Sequence, residues 1–300
     1  MTMGNLEGLT GCGTAMVTPF RNDGDLDETA LADFVEWQVS SGIHFLVPCG
    51  TTGESVTLTH DEYLRVVRRT VEVAAGRVPV VAGAGGNNTA KIIELVGELQ
   101  QLGVDGILSV SPYYNKPTQE GIFQHFRAIA QSTRLPIIVY NVPGRTSSNI
   151  LPETLLRLAE LPNILGVKEA SGDISQIGEI ATRAPERFRI FSGDDSVTLP
   201  VVALGGHGVI SVASNEVPDM MAQFAASCVE GKWDEARAWN RRLFPLMKVN
   251  FVETSPIPVK AGVAMLGRIQ EVYRLPLVRI SEPGRARLRA ALADLGLVHP

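Results

Sequence analysis

Apolar side chains fill 45% of the 300 positions, enough for one large core and a small appendage, and the net charge of -5 comes without a basic cluster, so nucleic acid is not an expected partner. Cys12, Cys49 and Cys228 are odd in number and far apart, and the five histidines form no HExxH pair; this leaves no metal-ligand spacing and fits a reducing cytoplasm. Residues 1–13 carry neither a basic nor an apolar leader segment and no apolar run could span a bilayer, so a soluble cytoplasmic protein with no membrane contact and no cofactor is expected.

Along the chain, short apolar or β-branched runs recur at residues 14–18, 45–49, 78–83, 106–111, 136–141, 164–170, 188–193 and 208–213, each followed by an amphipathic helical segment. Helix starts are marked by Asp27 before Glu28, Thr59 before His60-Asp61-Glu62, Asn88 before Thr89, and Pro152-Glu153 in a first turn. Eight strand-helix units in strict alternation predict an α/β protein whose parallel sheet closes as a (β/α)8 barrel. An open doubly wound sheet would announce a glycine-rich phosphate turn after its first strand. None is found there, and Gly83-Ala84-Gly85-Gly86, after the third run, does not complete GxGxxG. The eighth helix, near 218–229, ends at Gly231. Helical periodicity over 232–249, 257–268 and 282–296 with no strand between predicts a barrel domain over 1–230 carrying the active site and a small all-helical region over 231–300 packed beside it.

Lys168 stands inside the apolar run Ile164-Leu165-Gly166-Val167-Lys168-Glu169-Ala170, while Lys91, Lys116, Lys232, Lys248 and Lys260 fall in predicted helices or loops. The reading is that one ammonium has been placed in the core. Desolvation disfavours the charged form of a buried lysine, and the resulting free amine can attack a carbonyl to form a Schiff base, which an arginine cannot. The structural alternative is a lysine paired with a buried carboxylate, Glu169 or Asp194. Barrel active sites gather at the C-terminal ends of the strands, and most of the unusual polar residues fall there. Gly50-Thr51-Thr52-Gly53-Glu54-Ser55 follows the second strand, with glycines for close backbone approach, hydroxyls to relay protons and amides to hold a carboxylate. Tyr113-Tyr114-Asn115-Lys116-Pro117 follows the fourth strand and Tyr140-Asn141-Val142-Pro143-Gly144-Arg145 ends the fifth, where Arg145 is placed to grip a carboxylate with two parallel hydrogen bonds.

These segments, together with Ser192-Gly193-Asp194-Asp195 and Gly205-Gly206-His207-Gly208-Val209-Ile210-Ser211-Val212, resemble the dihydrodipicolinate synthase family, and the likeness runs from the first strand to Asn250-Phe251-Val252-Glu253 and Pro256-Ile257-Pro258-Val259-Lys260. The wider superfamily of Schiff-base pyruvate aldolases shares the lysine, the tyrosine and the Gly-Thr-rich loop. Arg145 after Tyr-Asn-Val-Pro is the more selective mark. The resemblance implies that Lys168 condenses with pyruvate and that the enamine attacks L-aspartate 4-semialdehyde, giving 4-hydroxy-tetrahydrodipicolinate in lysine and diaminopimelate biosynthesis. It further implies that Tyr140, Thr51 and Tyr114 relay protons, that Thr52 and nearby amides hold the pyruvate carboxylate, that Arg145 holds that of the aldehyde, and that the Ile210 carbonyl sits beside the amine. By the same resemblance Tyr114 reaches into a neighbouring subunit's site, so a homotetramer or at least a homodimer is expected.

Lysine-inhibited family members bind that effector at positions matching Ser55, Val56, His60, Tyr63, Asn87, Lys91 and Tyr113. They carry a glutamate at the position of Lys91 and a histidine at that of Tyr63, so an attractive contact to the effector's ammonium becomes repulsive here, unless Lys91 simply points into solvent. Two other readings remain open: a cleaving aldolase such as N-acetylneuraminate lyase or a 2-keto-3-deoxy sugar acid aldolase, against which Arg145 argues, and a non-catalytic pyruvate-binding barrel, against which Tyr140, Thr51 and Lys168 argue together.

Overall fold

The computed structural model describes residues 6–299. Eight parallel strands are β1 Gly11–Ala15, β2 Phe45–Val47, β3 Val81–Gly83, β4 Gly106–Val110, β5 Ile137–Asn141, β6 Ile164–Glu169, β7 Arg189–Ser192 and β8 Gly208–Ser211. They hydrogen-bond in the order β2-β1-β8-β7-β6-β5-β4-β3. A parallel bridge between Leu46 and Val80, with Leu46 N donating to Pro79 O at 2.9 Å and Gly83 N to Pro48 O at 2.9 Å, joins the two ends and closes the barrel. The first strand lies three residues earlier than its β-branched run predicts, because Gly11–Thr14 pair with Gly208–Ser211 of β8.

The helices are α1 Glu28–Ser40, α2 His60–Ala74, α3 Thr89–Gln101, α4 Gln119–Ser132, α5 Pro143–Thr146, α6 Pro152–Ala159, α7 Ile174–Arg183, α8 Thr198–Ala203, α9 Pro218–Val229, α10 Trp233–Val249, α11 Ile257–Met265 and α12 Glu282–Asp294. The start signals act as expected: the Asp27 and Asn88 side chains accept from Ala30 N and Lys91 N, and Thr59 and Glu62 form a reciprocal capping box. No helix among the described residues is long and apolar enough to cross a membrane.

Alternation along the strands divides the core in two. Phe45, Val47, Val81, Leu108, Ile138, Tyr140, Phe191 and Ile210 fill the barrel interior, and the larger cluster lies between strands and helices. Gly13 makes room for this filling, since a Cβ there would come within 2.1 Å of the Phe45 ring. Leu6 and Leu9 join the inner cluster at the N-terminal ends of the strands, leaving the opposite face for chemistry.

Candidate active site

Lys168 owes its orientation to a bulge. Ile137 pairs with Ile164 but Ile138 pairs with Gly166, so Leu165 is an extra residue, and the phase is reset to bring Lys168 beside Tyr140 on one flank and Phe191 on the other. Both neighbours face the barrel interior. The Lys168 side chain, 4% exposed as a residue, places Nζ 4.5 Å from the Tyr140 ring centroid. Among the described residues no carboxylate oxygen lies within salt-bridge distance of that amine. Glu169 faces the helices instead, accepting from Asn141 Nδ2 at 3.0 Å, Ser171 N at 2.7 Å and Gln176 Nε2 at 3.2 Å. Asp194 caps a short turn through Ser196 N at 2.8 Å. Neither serves as the structural partner that the alternative reading requires.

Burial lowers the Lys168 amine from 10.5 to about 8; the Asp195 carboxylate opposes that shift, Arg145 adds to it and Asp194 opposes it more weakly. At pH 7 roughly a tenth of such an amine is neutral, about 300-fold more than for an unperturbed lysine. Burial likewise pushes the Tyr140 phenol up to about 12, with Arg145 pulling it down and Asp194 pushing it up, so at neutral pH it carries its proton and can donate it.

Two chambers open over these groups. The lower, of about 40 Å³, is lined among others by Thr52, Tyr140, Arg145, Lys168, Phe251 and Ser255. The upper, of about 220 Å³, is lined among others by Thr51, Ser55, Val56, Tyr113, Tyr140 and Arg145. Gly50, Thr51, Leu108, Tyr140 and Arg145 border both, so the two adjoin. Thr52 is buried and lines the lower chamber with Lys168, while Thr51 is exposed and borders both chambers. Arg145 belongs to the single-turn helix α5, started by Pro143, and its Nη2 donates to Ser255 O at 3.1 Å. That contact leaves the rest of the guanidinium facing the shared opening. Ile210 is buried on β8 among the interior residues. Tyr114 is not gathered with the others: it is 89% exposed, has a left-handed backbone with φ of 72°, and lines neither chamber of its own chain.

The candidate effector residues divide between two places. Ser55, Val56 and Tyr113 line the upper chamber, whereas His60, Tyr63 and Lys91 line a separate groove of about 460 Å³ between α2 and α3. Asn87 lies at the chamber's edge, its Nδ2 donating to Tyr113 O at 3.2 Å. Glu94 and Glu98 also line the groove, and Glu98 meets His60 Nε2 at 3.0 Å; their side chains project from α3 and the sequence pattern did not single them out.

Two features correct the sequence reading. Lys168 is not the one ammonium in the core: Lys260 on α11 is fully buried and paired with Glu54 at 2.5 Å. Its helical surroundings suggested a surface position, but every residue from Ile257 to Val263 is buried. The C-terminal helical region does more than pack beside the barrel, since Phe251 and Ser255 line the chamber that holds Lys168. Asp195 was also not singled out as a neighbour of the amine. Fully buried, it accepts from Val212 N at 3.0 Å and Ala213 N at 2.9 Å.

Residues 8–295 match the Dihydrodipicolinate synthetase family. Over 97% of both chains, the sequence is 53% identical to a 4-hydroxy-tetrahydrodipicolinate synthase of Koribacter versatilis. The fold superimposes on a dihydrodipicolinate synthase of Thermotoga maritima with a TM-score of 0.95 at 46% identity, covering 97% of this chain and 100% of the other. A chloride-inhibited dihydrodipicolinate synthase of Acinetobacter baumannii, solved with pyruvate, gives a TM-score of 0.95 at 40% identity, covering 96% and 99%. Barrel, lysine-bearing strand and extended sequence match agree: the chain belongs to the dihydrodipicolinate synthetase family.

Proposed function

We propose that this protein is a lyase condensing pyruvate with L-aspartate 4-semialdehyde to give 4-hydroxy-tetrahydrodipicolinate, for lysine and diaminopimelate biosynthesis. The observation that carries the reading is a buried lysine amine, with no carboxylate in salt-bridge distance among the described residues, that lies 4.5 Å from the Tyr140 ring and lines one chamber with Tyr140 and Arg145.

The Lys168 amine attacks the ketone carbon of pyruvate, and the carbinolamine loses water to give an imine. Protonation of the imine nitrogen draws electrons from the methyl group, which releases a proton and becomes the nucleophilic carbon of an enamine. That carbon attacks the aldehyde, whose oxygen takes up a proton. The amino group of the second substrate then adds to the imine carbon, closes the ring and expels Lys168. Each step needs a proton delivered or removed near the lysine. Tyr140, whose phenol stays protonated at neutral pH, gives and takes it, with Thr51 bordering both chambers as the next hydroxyl. Thr52 and the adjacent amides hold the pyruvate carboxylate, and the Ile210 carbonyl orients the amine. Arg145, steadied by Ser255 O, takes the aldehyde's carboxylate.

Tyr114 completes the relay from a neighbouring chain in a cytoplasmic homotetramer, or at least a homodimer. Its exposure, like that of the 82% exposed Val56, supports this, because large apolar groups left in water favour being covered. The positions matching the family's effector site hold L-lysine weakly or not at all, since Lys91 brings an ammonium to the groove where lysine-inhibited members carry a glutamate, a repulsion that Glu94 and Glu98 in the same groove only partly offset. Supplying the protein with pyruvate and either L-aspartate 4-semialdehyde or, in the reverse sense, N-acetylneuraminate tests the assignment. Condensation with the first supports it, and preferential cleavage of the second would replace it with the lyase reading.

A further inference from the structure

The turn that carries Thr51 and Thr52 is held from behind by a charge pair that the mechanism does not use. Gly53 N donates to Gly50 O at 3.1 Å and Glu54 N to Thr51 O at 3.1 Å, so the turn closes on itself and ends with Glu54 in the left-handed region at φ of 52°. A non-glycine residue there is costly unless its side chain is held. Here it is held: Glu54 Oε1 accepts from Lys260 Nζ at 2.5 Å, with both side chains 0% exposed. The Lys260 ammonium also lies 4.1 Å from the centroid of Phe20. On one side of Glu54, Thr18 Oγ1 donates to Gly53 O at 2.6 Å. On the other, Arg274 Nη1 donates to Thr57 O at 2.9 Å, and its guanidinium also bonds Glu62 and Gly24 O. Neighbouring backbone is thus pinned through its carbonyls, which accept from the Thr18 hydroxyl and the Arg274 guanidinium, while the residue that ends the turn is pinned by a buried ion pair crossing to α11. An ion pair of this kind contributes little net stability compared with apolar residues of the same shape, but it enforces one geometry. The same helix follows Ser255, which positions Arg145.

We propose that Glu54 and Lys260 are a positioning pair for the reaction, fixing the Thr51–Thr52 turn in the conformation that receives the carboxylate of the 2-oxo acid, and so making α11 a working part of the site; this rests on the Schiff-base reading above. Neither residue touches the reacting atoms. The test measures borohydride trapping of pyruvate and its concentration dependence in the full-length enzyme, alongside thermal unfolding. Lys260→Met should raise the pyruvate concentration for half-maximal trapping by about tenfold or more, with the trapped fraction at saturation changed less than about threefold. Because a lone buried carboxylate could unfold the single variant, Glu54→Gln combined with Lys260→Met replaces the ion pair with a neutral pair of similar shape, and the same rise is expected there. Leu288→Ala, in the buried face of α12, should lower the unfolding temperature without moving the half-saturation point, which separates positioning from general loosening of the helical region. A double variant with the parent's half-saturation, or a Leu288→Ala enzyme that shifts it equally, would overturn the proposal. Failure of the parent itself to trap pyruvate would instead sink the Schiff-base reading.

Discussion

Replacing Lys168 with methionine should abolish imine formation and make the protein more stable. Burial brings this amine from 10.5 to about 8, and one pKa unit corresponds to about 1.4 kcal/mol, so holding the ammonium in the fold costs of order 3 kcal/mol. The Tyr140 face, 4.5 Å from Nζ, returns roughly 1 kcal/mol of that as a cation–π contact. Methionine has nearly the same length and needs no solvation, which leaves it ahead by about 1–2 kcal/mol near neutral pH. The sign follows from the folded pKa lying below the unfolded one: the penalty is complete below about 8, shrinks as pH rises, and is gone above 10.5. The advantage of the variant should fade over that window. Urea unfolding of the parent and Lys168→Met, followed by circular dichroism at a series of pH values, reads the difference directly. A methionine variant less stable than its parent at neutral pH, or an advantage that does not depend on pH, would refute the view that Lys168 is desolvated without a carboxylate partner.

The initial rate of imine formation should climb about tenfold per pH unit below the Lys168 value of about 8 and level off above it; rapid-quench trapping would show the contrary if the climb continued beyond pH 10. Arg145→Ala should leave pyruvate trapping largely intact but lower kcat/KM for the aldehyde by roughly tens to hundreds-fold, the cost of about 2–4 kcal/mol for a lost bidentate contact. Unaffected turnover in a coupled assay would remove Arg145 from substrate binding. Free L-lysine should inhibit weakly or not at all, and Lys91→Glu should gain sensitivity; complete inhibition of the parent at sub-millimolar lysine would mean that Lys91 does not oppose the effector.

The barrel was legible because each strand is a short apolar run and several helices begin on a capping side chain, as Asp27, Thr59 and Asn88 do. Lys168 was legible through its chemistry, an ionisable group within such a run. What aims it was not: the bulge at Leu165 is a matter of pairing with β5, and the one local sign, Gly166 inside the strand, reads equally as a close backbone approach. The Glu54–Lys260 pair escaped for a related reason. Periodicity identifies α11 but not the depth at which it sits, and a contact between residues 206 positions apart has no local signature. Phe251 was recognised only as part of a matching segment and Ser255 not at all, because the loop before α11 reaches the chamber through tertiary packing. Tyr114 shows the opposite limit, a residue legible in sequence whose proposed role requires another chain.

The most direct test of the central claim is to reduce the protein with borohydride in the presence of pyruvate and to map the adduct by peptide mass spectrometry. The account predicts a single pyruvate-derived mass increase on the peptide containing Lys168, absent without pyruvate and absent in Lys168→Arg, where the charge is kept but no free amine exists. An adduct on Lys116 or Lys260, or none at all in folded protein, would contradict it.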